Sequence, residues 1–114
     1  MGGEPWTVAV ADDAVERALG LKGVTNLGDV DGMLFVHPED SGSGFWMKDT
    51  LIPLDIAFFS SEGELIDLLQ MEPCRADPCP GYRPGGPYRY ALEAERGRFG
   101  GMGVISLRIV DPLP

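Results

Sequence analysis

Residues 44–67, GFWMKDTLIPLDIAFFSSEGELID, decide how this chain folds. Side chains along a strand point alternately to opposite faces, and this stretch alternates. Phe45, Met47 and Leu51 share one parity, with Asp49 between them, and Trp46, Lys48 and Thr50 share the other. Phe45 and Met47 read as the inner side, which leaves Trp46 nearer a surface. Beyond Pro53, Leu54, Ile56 and Phe58 fall on one side and Asp55, Ala57 and Phe59 on the other. Proline has no N–H and cannot sit in the middle of a paired strand, so a connection belongs at 51–53. Gly63 supplies the positive φ that a tight turn wants. The stretch therefore predicts a three-strand meander at 45–50, 54–60 and 64–71.

Outward from this centre, Glu4 to Val10 reads as a strand. Asp12 or Asp13 then caps a short helix over Ala14 to Leu19, with Val15, Ala18 and Leu19 inward, Glu16 and Arg17 in water, and Gly20 as its stop. Residues 21–30 read as loop, 31–36 as a buried strand, and 37–43 as a polar loop holding His37. The proline- and glycine-rich segment 72–87 reads as a long surface loop. Strands follow at 88–94 and 104–110, joined by a glycine-rich turn at 96–103. The whole 1–114 chain reads as one mainly β domain, a β-rich α+β fold with a compact antiparallel, barrel-like sheet and one short N-terminal helix. Sixteen glycines and ten prolines favour such a succession of short segments.

A net charge of −9 excludes nucleic acid and anionic membrane as natural partners, since both need a positive footprint. No apolar run approaches the ~18 residues of a membrane-spanning helix. The opening MGGEPWTV has neither the basic nor the apolar region of a leader, as expected of a cytoplasmic chain or of an exported one already relieved of its leader. The sequence carries no signal of oligomeric state.

Four blocks carry a family resemblance: GL at 20–21, DGMLF at 31–35, FWMKDTLIPLDIAFF at 45–59 and YALE at 90–93. Together they resemble the domain of unknown function family 192, a set of small prokaryotic proteins, over Arg17 to Gly103. The resemblance implies a compact β-rich fold with a small helix and no particular reaction. It also implies that many relatives are exported. This chain departs from the family pattern at Asp49, where relatives usually carry Asn. It departs again at GLKGV, 20–24, which lacks the arginine of GLMxR, and at Val104-Ile105-Ser106, where a Gly-Asp pair is common.

Candidate chemistry gathers in the central stretch. Trp46, Lys48, Thr50 and Asp55 could floor a groove for a small molecule or peptide, with the Cys74–Cys79 segment as its rim. Asp55, among apolar neighbours, needs partners. It either satisfies backbone N–H groups at the 51–53 turn or faces Lys48 in a binding site. Trp46 is core or a stacking platform for a sugar or heterocycle. Cys74 and Cys79 close a disulfide ring in an exported protein if their Cα atoms approach within about 4.4–6.8 Å, and otherwise remain thiols. No cofactor set is legible. His37 is the sole histidine and reads as a solvated loop residue, and the cysteine spacing matches no standard zinc or redox pair. The first expectation is thus a non-enzymatic ligand-binding module. The alternatives are a hydrolase using Asp49 and Asp55, which would need their carboxyls about 5–9.5 Å apart, and a protein-interaction domain.

Overall fold

Every residue of Leu54–Phe59 (LDIAFF) is buried, so this strand has an apolar layer on each of its two faces. The computed structural model describes residues 6–100 and Leu107. In chain order its elements are β1 (Val8–Ala11), α1 (Ala14–Leu19), β2 (Gly32–Ser41), β3 (Phe45–Trp46), β4 (Leu54–Phe59), β5 (Leu65–Met71), β6 (Gly81–Tyr82) and β7 (Tyr88–Glu95). Five of them form one sheet in the order β1-β2-β7-β4-β5, and β3 and β6 form a separate two-stranded ribbon.

Alternation along β4 divides the core. Leu54, Ile56 and Phe58 pack with Phe35, Met47, Met71, Tyr88 and Ala91 on one face. Ala57 and Phe59 pack with Leu34, Leu92, Ala94 and Phe99 on the other. The first face is stitched by aromatic contacts, with Phe58 and Tyr88 ring centres 4.9 Å apart and Phe45 and Phe58 5.7 Å apart. Burying each such side chain contributes about 1.5–3 kcal/mol, so β4 is the strand whose loss the fold tolerates least.

Pairing within the sheet is antiparallel except between β1 and β2, which run parallel with Val8 opposite Gly32. Parallel neighbours need a crossover, and α1 with the segment after it supplies one. Asp13 caps α1 by accepting from Glu16 N at 2.7 Å. Gly32 is required by close approach, because a Cβ there would run into the carbonyl oxygen of Glu93 in β7. Gly63 takes φ 84° in the β4–β5 turn, the role expected of it.

Four local expectations are corrected. Extended structure in the central stretch stops at Trp46 rather than continuing to residue 50. Asp49 adopts φ 63° and Thr50 N donates to Met47 O at 2.9 Å, so the chain turns there. Strict alternation cannot register a left-handed residue, which aspartate tolerates better than most. Secondly, β2 continues through His37 and Pro38 to Ser41. Its pairing with β7 shifts register between Val36 and Ser41, and that irregularity accommodates the proline. Thirdly, the 72–87 segment holds β6, which pairs Phe45 with Tyr82 and Trp46 with Gly81. Fourthly, α1 buries none of its residues: Val15 is 76% and Leu19 60% exposed. Arg17 turns inward instead, its Nη1 donating to Val36 O at 2.9 Å where the β2 ladder breaks down. The expected 104–110 strand lies outside the described residues apart from Leu107, whose N–H donates to Gly63 O at 2.8 Å.

Candidate functional site

The structure divides the four candidate residues into different environments. Asp55 is taken up by the far end of β7. Its Oδ1 accepts from Arg96 Nε at 3.1 Å and its Oδ2 from Gly97 N at 3.0 Å. Its partners are therefore neither Lys48 nor the 51–53 turn. Lys48 Nζ donates to Asp77 at 2.8 Å, and this hydrogen bond raises the lysine's pKa. Asp49 is exposed at its turn. Thr50 is buried and Trp46 is 53% exposed, and these two share a cleft.

Cys74 and Cys79 are joined by a disulfide with a Cα–Cα separation of 5.9 Å. The ring they close staples the turn after β3. Asp49 N donates to Cys74 O at 2.9 Å, Lys48 and Thr50 bridge to Cys74, and the Lys48–Asp77 pair spans to the ring. Loop-closure entropy for a ring of this size is worth about 2 kcal/mol. The Cys74→Ser/Cys79→Ser double variant is therefore expected to lose about that much in chemical denaturation. Reductant should lower wild-type stability to the variant's level and leave the variant unchanged. An equal response of both to reductant would show that the bond does not carry the difference.

The cleft that Trp46 and Thr50 share has a volume of about 410 Å³ and lies between α1 with its following turn, the middle of β2, and the start of the β3–β4 connection. Arg17, Lys22 and Trp46 line it together with Phe45 and the fully buried Phe35 and Tyr88. Lys22 Nζ stands 5.9 Å from the centre of the Trp46 ring. The turn at 20–23 is tied to the central stretch by Gly23 N donating to Asp49 O at 3.0 Å. His37 lines the same cleft, edge-on to Tyr88 with ring centres 5.3 Å apart. It is half-buried rather than solvated, and burial first, then the Arg17 charge, lowers its pKa.

At the base lies Glu93, 5% exposed, on the β4 face that carries Ile56. Among the described residues none donates a hydrogen bond to its carboxyl. Burial lifts its pKa to about 8, against a smaller opposing pull from Lys22. At neutral pH it is therefore mostly a carboxylic acid, able to donate as well as accept. The sequence reading passed over Glu93. The available signal was an acid set between Leu92 and Ala94 in the buried run Ala91–Ala94 of YRYALEAE.

Each of the four blocks that carried the resemblance reaches this cleft: Leu21 from the first, Phe35 from the second, Trp46 and Thr50 from the third, Glu93 from the fourth. The family model for domain of unknown function 192, described as uncharacterized ACR, matches residues 1–106. The chain belongs to this family. Two solved structures resemble this DUF192 chain across most of its length. One is a protein of unknown function from Novosphingobium aromaticivorans DSM 12444, 29% identical, covering 86% of this chain and 70% of that one, with a TM-score of 0.76. The other is described as a proposed transcription regulator from Sinorhizobium meliloti 1021, 29% identical, covering 87% of this chain and 75% of that one, with a TM-score of 0.73. No curated protein matches the DUF192 chain.

Proposed function

We propose that this DUF192 protein is a small-ligand-binding module and that its site is the cleft between Arg17, Trp46 and Glu93. One observation carries the reading. Four sequence blocks separated along the chain, and drawn from α1's turn, β2, β3 and β7, put side chains into a single concavity. The concavity has the makings of a ligand site: aromatic walls, a few polar groups, and a buried titratable acid at the base. The rest of the fold supports that placement, with Arg17 anchored on Val36 and the disulfide ring holding the turn below Trp46. Asp49 and Asp55 do not meet in this cleft, and both oxygens of Asp55 are occupied, which argues for binding over carboxylate-pair hydrolysis. The description of the Sinorhizobium protein as a regulator suggests a sensing role rather than direct DNA contact here, given the −9 charge.

A thermal-shift screen of the full chain against metabolites, sugars, nucleosides and short peptides tests this. A ligand at a hundred times its Kd stabilises by about 2.7 kcal/mol, or roughly 10 °C for a domain of this size. The expected result is at least one such shift that Trp46→Ala abolishes. The reading fails if every shift survives Trp46→Ala.

A further inference from the structure

We propose that the ligand is a small organic anion carrying a flat or ring-shaped apolar part, with Arg17 and Lys22 receiving the negative group and Trp46 the ring. This rests on the cleft being a binding site and adds the charge class of what fills it.

The chain as a whole has twice as many acidic as basic residues, 18 against 9. The cleft inverts that ratio, with Arg17 and Lys22 on its wall and Glu93 as its one carboxyl. A basic concavity in an acidic protein draws anions locally while the remaining surface repels them. Arg17 is suited to the role. Of the five N–H donors of a guanidinium, the Val36 carbonyl takes one and so orients the plane. Among the described residues the others carry no commitment, and their forked geometry matches a carboxylate or phosphate. Lys22, reaching over the Trp46 ring from the turn after α1, brings a second charge to the same mouth. The indole face, half in solvent, is already flanked by that cation and offers a flat platform for a ring. Glu93 does not oppose an anion, because burial keeps its carboxyl protonated at neutral pH and it can donate to the ligand instead. His37 and Tyr88, the other titratable groups on the cleft wall, are both held towards their neutral forms by burial and add no competing charge.

Three probes with one ring and three charges separate the possibilities: benzoate, benzamide and benzylamine. Each is titrated into the full chain carrying Trp6→Phe, so that fluorescence reports Trp46 alone, with NMR shifts as the second readout. Benzoate is expected to bind about tenfold more tightly than benzamide, and benzylamine most weakly. Arg17→Gln should weaken benzoate by about tenfold and leave benzamide nearly unchanged. Lys22→Gln, remote from the sheet, should move benzoate in the same direction and serves as the second variant should Arg17→Gln unfold. Equal binding of benzoate and benzamide, preference for benzylamine, or equal loss of both neutral and anionic probes in the variants overturns the anion assignment while leaving a ligand site. Absence of any binding that perturbs Trp46 overturns the site and the assignment together.

Discussion

Asp55→Ala is expected to destabilise the protein by about 3 kcal/mol, because it breaks a part-buried ion pair and leaves its partners unsatisfied. Asp55 lies in the wholly buried strand β4, with its side chain 9% exposed, and joins three elements. It holds Arg96 and the Gly97 amide at the end of β7, and Arg96 in turn donates to Met71 O at 2.8 Å at the end of β5. Without the carboxylate, Gly97 N–H loses its acceptor and the guanidinium keeps only Met71 and the exposed Glu72. Arg96 is about a third exposed, which places the expected loss at the lower end of the range for a broken buried pair. Asp55→Asn should cost less, since its amide oxygen can still accept from Gly97 N. Urea denaturation with an unchanged m-value is the measurement. A loss under about 1 kcal/mol would mean that the pair is decorative, and a loss of probe binding without loss of stability would return Asp55 to the site.

The part of this fold legible in sequence is the part governed by near neighbours. LDIAFF alternates between two cores because each of its faces is apolar, it begins directly after Pro53, and Gly63 makes the turn after it. YRYALEAE reads as a strand for the same reason. What escaped depends on distant contacts. Parallel pairing of β1 with β2 arises from a crossover that no local periodicity encodes. The β3–β6 ribbon joins residues 45–46 to 81–82 across a proline-rich segment that looks structureless by itself. Arg17 reads as a solvent residue on a helical wheel, yet it is drawn inward by the Val36 carbonyl left over at the β2 register shift. The site follows the same division. Parity leaned Trp46 towards a surface while core packing stayed open, and the side chain is 53% exposed. Convergence of Trp46 with Lys48 and Asp55 presumed an extended chain through residue 50, and the left-handed Asp49 sends those side chains to Asp77 and Arg96 instead.

Glu93→Gln is expected to flatten the pH dependence of stability between about pH 4.5 and 8, and to make the protein more stable than wild type at the upper end. Burial raises the folded-state pKa of Glu93 from 4.5 to about 8. In the unfolded chain the same carboxyl ionises near 4.5. Across that window the unfolded state sheds a proton that the folded state retains, so wild-type stability falls as pH rises and the loss is complete only above pH 8. Below 4.5 both states are protonated and the contribution is fully present. A shift of this size corresponds to a change on the order of 5 kcal/mol. Gln keeps the shape and a donor and has nothing to ionise. His37 titrates in the same cleft with a lowered pKa, which favours folding less as pH drops below 6.5, so its trend opposes that of Glu93. Arg17 and Lys22 face the same cleft. Subtracting the Glu93→Gln curve from the wild-type curve cancels these common contributions and isolates the glutamate. Lys22→Gln removes the one nearby charge that favours ionisation and should push the window upward. Parallel curves for wild type and Glu93→Gln from pH 5 to 8 would mean that the carboxyl is solvated and ionised at neutral pH. An anion would then meet a like charge at the base of the cleft, and the preference for benzoate should shrink along with the missing pH dependence.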